Sequence, residues 1–174
     1  EYRVGLTPES ARELVAKGHR VLAETQAGAG IGAGDAEYKK AGAEVAASPA
    51  EVFARADLIV KVKEPLAQER ARLRPGQALF TYLHLAPDPD QVRDLVKSGA
   101  TAIAYETVTS AAGGLPLLAP MSEVAGRMAV QVAAHYLERP HGGRGILLSG
   151  AAGSAPARVL ILGSGVVGSN AARM

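Results

Sequence analysis

Short apolar, β-branched runs punctuate this chain, and polar stretches with helix-start and helix-stop residues lie between them. Leu58-Ile-Val-Lys-Val62, Ala78-Leu-Phe-Thr-Tyr-Leu83 and Thr101-Ala-Ile-Ala-Tyr105 read as strands, and residues 20–25, with Val21, Leu22 and Ala23, read as a fourth. Thr7 as N-cap, Pro8 at the first position and Glu9 in the first turn predict a helix that stops at Gly18. Asp35 predicts a capped helix through Ala43, and Ser48-Pro49 opens another through Arg55. Asp88-Pro89 starts a helix whose Val92, Leu95 and Val96 recur three to four apart, ending before Gly99. The longest helix is expected over residues 121–138, between Pro120 and Pro140, with Val124, Met128, Val132 (or Gln131) and His135 on one stripe.

Strands alternating with helices predict an α/β fold made of βαβ units, with a parallel sheet covered on both faces. The end of the chain adds a different unit. Arg158-Val-Leu-Ile-Leu-Gly163-Ser-Gly165-Val-Val-Gly168 has the apolar strand, Gly-x-Gly-x-x-Gly turn and helix start of a Rossmann dinucleotide site. The first Gly permits the turn, the second admits a pyrophosphate to the backbone, and the third lets the helix pack closely. Gly163, Gly165, Val166, Val167 and Gly168 are therefore candidate cofactor contacts. The expected organisation is a Rossmann-like, incomplete substrate domain over 1–118, an interdomain helix over 119–140, and the start of a dinucleotide domain over 141–174. The acidic residue that holds a ribose is expected roughly 20 residues further on, past Met174. The chain also begins Glu1-Tyr2-Arg3 without an initiator Met, so it is expected to be a piece of a longer polypeptide. NAD cannot be told from NADP on these residues.

Bulk properties narrow the class. The 174 residues are 48% hydrophobic, enough for a packed core, and no apolar run approaches the roughly 18 residues of a membrane span. A net charge of +2 comes from Arg and Lys scattered among acids, which argues against a nucleic-acid surface. The absence of Cys removes disulfides, thiol nucleophiles and Cys-ligated zinc, and fits a cytoplasmic enzyme. The glycines of Gly28-Ala-Gly30-Ile-Gly32-Ala-Gly34 lack fingerprint spacing, so a flexible surface loop is expected there.

In parallel sheets ligands sit beyond the carboxyl ends of the strands. Three strands end in ionisable groups: Lys63 (followed by Glu64-Pro65), His84 and Glu106. A Lys can polarise a carbonyl, a His can move a proton, and Glu106 reads as a structural acid. Against this stands the ordinary fact that strand ends are often polar. His19 is expected to be solvated, His135 packed or at an interface, and His141 in a loop. None has metal-ligand spacing to a second His or a carboxylate, so no metal is expected.

Several strings then point to one family. Arg3-Val-Gly-Leu-Thr-Pro8, Val60-Lys-Val-Lys-Glu-Pro65, Leu79-Phe-Thr-Tyr-Leu-His-Leu85, Ala102-Ile-Ala-Tyr-Glu-Thr-Val108 and Leu115-Pro-Leu-Leu-Ala-Pro-Met-Ser-Glu-Val-Ala-Gly-Arg127 resemble the alanine dehydrogenases, in order along the whole chain. The resemblance implies interconversion of L-alanine with pyruvate and ammonia, with hydride passing to or from NAD. It places Arg3 on the substrate carboxylate, Lys63 on the substrate's carboxylate or carbonyl, and His84 as proton donor and acceptor. It also places Met121 beside the substrate and Ser122 against the dinucleotide. Homo-oligomers, hexamers among them, are implied too, with no membrane or nucleic-acid partner. Two other readings differ in what they imply. A transhydrogenase α-type NAD-binding subunit would exchange hydride between nicotinamides, and a non-catalytic truncated module would only assemble with full-length chains.

Overall fold

Local signals set where most helices begin. In the computed structural model, which describes residues 1–174, α1 spans Pro8–Ala16, and the Thr7 side chain accepts from the Ser10 N–H at 3.3 Å. Such a cap is worth about 1 kcal/mol. Ser48 caps α3 (Pro49–Arg55) in the same way, and Asp88 caps α5 (Pro89–Ser98), which ends at a left-handed Gly99. The helix α2 covers Asp35–Lys40, with Gly34, not Asp35, at the N-cap position. The Asp35 carboxylate is instead drawn back to Thr25 Oγ1 and the Gln26 N–H, both at 2.7 Å. A four-residue helix, α4 (Ala67–Arg70), was not expected; Glu69 closes its first turn by accepting from the Leu66 N–H at 2.7 Å.

The chain forms two compact units, Glu1–Thr107 and Val108–Met174. In the first, the single sheet expected from the sequence is two smaller parallel ones. β1 (Leu22–Glu24) pairs with β2 (Glu44–Ala46), placing Leu22 opposite Glu44. β3 (Leu58–Val60), β4 (Ala78–Thr81) and β5 (Thr101–Ala104) form the other sheet in that order, with Ile59 opposite Leu79 and Leu79 opposite Ala102. Parallel pairing needs a crossover, and α4 and α5 provide the two crossovers of this sheet.

Each sheet has its own core. Phe53, Ile59, Leu73, Leu79, Leu83, Leu95 and Ala104 cluster around the three-stranded sheet, while Ala11, Ala33, Tyr38, Ala41 and Ala43 cluster around the other. Leu79 is fully buried; burying such a side chain stabilises by about 2 kcal/mol. Coverage is incomplete, however, because Thr101, Ala102 and Ile103 of edge strand β5 are exposed. The glycine-rich stretch is also not a loose loop. It folds into a 3₁₀ turn at Ala29–Ile31, and a β-carbon on the buried Gly28 would lie 2.4 Å from the Ala33 carbonyl oxygen and 2.8 Å from the Tyr38 ring. Close approach of backbone to core is why glycine stands there.

In the second unit α6 (Ala119–Leu137) packs its buried Gly126 against Val167 and Asn170 of α7 (Val166–Arg173). Residues 158–162 do not form the strand expected of them. An apolar run becomes a strand only where another strand accepts its backbone hydrogen bonds, and none of this chain's strands pairs with it. Leu160 and Leu162 are consequently 83% and 88% exposed.

Candidate active site

The carboxyl ends of β3 and β4 carry the first group of candidate residues. Beyond β4 the backbone turns sharply, and His84 adopts a left-handed conformation with φ +44°. That conformation is unfavourable for a residue with a β-carbon and persists only where neighbours enforce it. Three residues do so. Glu106, in the 3₁₀ turn Tyr105–Thr107 after β5, accepts the His84 N–H at 2.7 Å and the Leu83 N–H at 3.1 Å. The buried Gln91 of α5 donates its Nε2 to the Leu83 carbonyl at 2.5 Å. Finally, the Glu64 carboxylate makes a short contact with His84 Nδ1.

These contacts have electrostatic consequences. Burial pushes the Glu106 carboxyl up, but the N–H groups of His84, Glu106 itself and Leu83 outweigh it and hold the group below the usual carboxylate range. With Nδ1 held by the Glu64 carboxylate, Nε2 is the ring nitrogen left for another partner. Tyr82 stacks on the His84 ring at 5.9 Å between centroids, and Tyr105 meets Tyr82 edge-on at 5.0 Å and Phe80 at 4.3 Å. Burial, with a smaller contribution from Tyr82, pushes the Tyr105 phenol up to about 12, so it stays a neutral hydroxyl.

Lys63 lies on the adjoining loop. Its carbonyl accepts from the buried Thr81 Oγ1 at 2.8 Å, tying the loop after β3 to β4, and its side chain is exposed beside Glu64. Arg3 reaches the same edge by another route. A β-carbon at Gly5 would lie 2.9 Å from the Val60 carbonyl oxygen, so the N-terminal segment runs against the end of β3. The Arg3 guanidinium interacts electrostatically with Tyr82, the residue stacked on His84. It also grips the Glu1 carboxylate with two bonds of 2.8 Å, from Nε and Nη2. Glu1 is held down to about 2, chiefly by that side-chain bond. Arg3, Lys63 and His84 are thus assembled at one sheet edge, with Glu64, Tyr82 and Gln91 as neighbours that sequence reasoning did not single out.

The second group lies in the second unit. Gly163 has φ +97°, which L side chains rarely adopt, and a β-carbon at Gly168 would sit 2.0 Å from the Gly163 carbonyl oxygen, so conformation favours glycine at the first position and space requires it at the second. Gly165 precedes α7 and faces open space on its Cβ side. Ser122, in the first turn of α6, lines a cleft of about 1070 Å³ together with Gly163, Gly165, Val166, Val167 and Gly168. Glycines that open a helix above such a cleft can present backbone N–H groups and the positive helix end to a phosphate. Met121 is exposed beside Ser122 and does not line that cleft.

Two family models together match nearly the whole chain. The model described as "Alanine dehydrogenase/PNT, N-terminal domain" matches residues 1–125, and "Alanine dehydrogenase/PNT, C-terminal domain" matches residues 129–174. The chain belongs to the alanine dehydrogenase/PNT family. It is 60% identical over its full length to the alanine dehydrogenase of Halomonas elongata and 54% identical to that of Bacillus subtilis, covering 47% and 46% of those proteins. It therefore spans about half the length of the curated relatives it matches. A solved L-alanine dehydrogenase superposes with a TM-score of 0.87 at 52% identity, covering 99% of this chain and 48% of that one. A transhydrogenase from Sinorhizobium meliloti is a more distant relative, with a TM-score of 0.74 at 29% identity, covering 99% and 52%. No helix of the chain is long and apolar enough to cross a membrane.

One reading of the histidines needs correction. His135, Glu138 and His141 were expected to share no metal-ligand spacing, yet their ligand atoms lie within 4.8 Å of one another. His135 is exposed, not packed into a core, and its ring lies 3.6 Å from that of His141. The sequence signal was present as His-x-x-Glu-x-x-His, but it becomes a cluster only because the chain turns back after α6.

Proposed function

We propose that this chain supplies the amino-acid half-site and the opening phosphate turn of an NAD-dependent L-alanine dehydrogenase, which interconverts L-alanine with pyruvate and ammonia. The observation carrying this reading is the clamped His84, with its ring partner Glu64 and the Arg3 guanidinium at the same sheet edge. The Arg3–Glu1 pair illustrates the proposed grip, since a two-bond fork on a carboxylate is what a 2-amino or 2-keto acid offers. Lys63 hydrogen-bonds the substrate and stabilises negative charge on its oxygen. His84 Nε2 accepts a proton as the amino acid is oxidised and returns it in the reverse direction, while Glu64 holds the ring in place through Nδ1.

The glycine turn fits a dinucleotide. Gly168 has no space for a side chain, Gly163 holds a left-handed conformation suited to glycine, Gly165 leaves room for a phosphate, and Ser122 lines the same cleft. When bound, NAD supplies the hydride acceptor; the chain's own residues bind and orient the substrate and move the proton. Alone, the 174 residues should bind NAD weakly and turn over little.

The test follows NADH absorbance with pyruvate and ammonium, for this chain alone and mixed with the remaining half of a full-length relative. Activity should appear only in the mixture and should vanish with His84→Ala. Near-normal turnover by His84→Ala would contradict the proton-transfer role. A transhydrogenase would instead exchange hydride between nicotinamides with no dependence on alanine.

A further inference from the structure

We propose that His135, Glu138 and His141 form a surface site for a divalent cation of the zinc class, separate from the alanine dehydrogenase chemistry. α6 ends at Leu137, and Glu138 leaves the helical conformation with φ −70° and ψ 141°. Arg139–His141 then makes one 3₁₀ turn that stops at Gly142, whose φ is +81°. This reversal returns His141 to the last turn of α6. Its ring lies tilted against that of His135, with 3.6 Å between centroids, and its Nδ1 lies 3.4 Å from a Glu138 oxygen and 3.2 Å from the His135 carbonyl oxygen.

The donor set and its placement favour a cation. Two imidazoles and a carboxylate, with no thiol in the chain, suit Zn²⁺, Ni²⁺ or Cu²⁺ better than Mg²⁺ or Ca²⁺. Donors on a tetrahedral zinc sit about 3.3 Å apart, as its bond lengths require. The ligand atoms of all three residues already lie within 4.8 Å of one another, close to the spacing such an ion requires. All three residues are exposed, which leaves a fourth position for water. The C-terminal end of a helix carries partial negative charge, which further favours a cation there. The adjacent Arg139 packs its side chain against Gly145, where a β-carbon would lie 2.9 Å from its Nε. A bound ion would tie the last turn of α6 to the turn that follows it.

Calorimetric titration of the chelator-stripped chain with zinc chloride should show one equivalent bound. The double variant His135→Gln/His141→Gln should lose that equivalent and His19→Gln should keep it, with far-ultraviolet circular dichroism reporting that both fold. In the unmodified chain, substoichiometric Cu²⁺ should broaden the ring resonances of His135 and His141 before those of His19 and His84, a readout that needs no variant. Absence of binding, binding that survives in the double variant, or broadening that begins at His84 would each overturn the proposal.

Discussion

The segment around His84 and the segment before Gly163 look alike in sequence, each an apolar run leading into a sharp turn, yet they fold differently. Residues 78–81 are a central strand, hydrogen-bonded on both sides, and the turn after them is held by Glu106, Gln91 and Glu64. Residues 158–162 have no strand neighbour, and their leucines face solvent. Hydrophobicity is similar in the two; what differs is whether backbone partners arrive from elsewhere in the chain. The glycine turn keeps its shape nonetheless, because Gly163 and Gly168 close it locally and α7 leans on α6. A turn can be set by its own residues, whereas a strand needs neighbours.

The largest effect expected from this contrast is in the core. Leu79→Ala should cost about 3 kcal/mol in urea unfolding, whereas Leu162→Ala should change stability by less than about 0.5 kcal/mol; similar losses at the two sites would erase the distinction. Glu106→Ala comes next, at about 2 kcal/mol, because it strands the Leu83 and His84 N–H groups. In the glycine turn, Gly168→Ala should cost about 1–3 kcal/mol by overpacking, while Gly165→Ala should leave stability unchanged and, if the proposed function holds, weaken only dinucleotide binding. The smallest energy concerns the left-handed backbone. His84→Gly should be more stable than His84→Ala by about 1 kcal/mol, and equal stabilities would mean that φ +44° carries no strain.

Acid should weaken the first unit in a defined direction. Glu1 falls from 4.5 to about 2, and Glu106 is also held below its ordinary value. A carboxyl lowered by folding contributes stability that is complete above its unfolded pKa and is lost as pH falls through the folded one. Urea midpoints measured between pH 5 and pH 2 should therefore decline steadily, and Glu106→Gln should flatten the decline.

Features written in neighbouring residues were legible in the sequence. Thr7-Pro8, Ser48-Pro49, Asp88-Pro89 and Gly99 marked helix ends because caps act over three residues. β2 was missed because Glu44, Val45 and Ala46 look like nothing until they pair with Leu22, Ala23 and Glu24. The same limit applied to the site. Lys63, His84 and Glu106 stood out as polar ends of apolar runs, but Gln91 and the ring contact of Glu64 depend on tertiary packing. His141 reads as a loop residue in the sequence, and that loop is the turn that brings it back to His135.

Amide hydrogen exchange tests the contrast most directly. The N–H groups of Leu79 to His84 should exchange slowly, near the limit set by global unfolding, while those of Val159 to Leu162 should exchange within the dead time. Rapid exchange at Leu83 and His84, or strong protection at residues 159–162 of the isolated chain, would contradict the account.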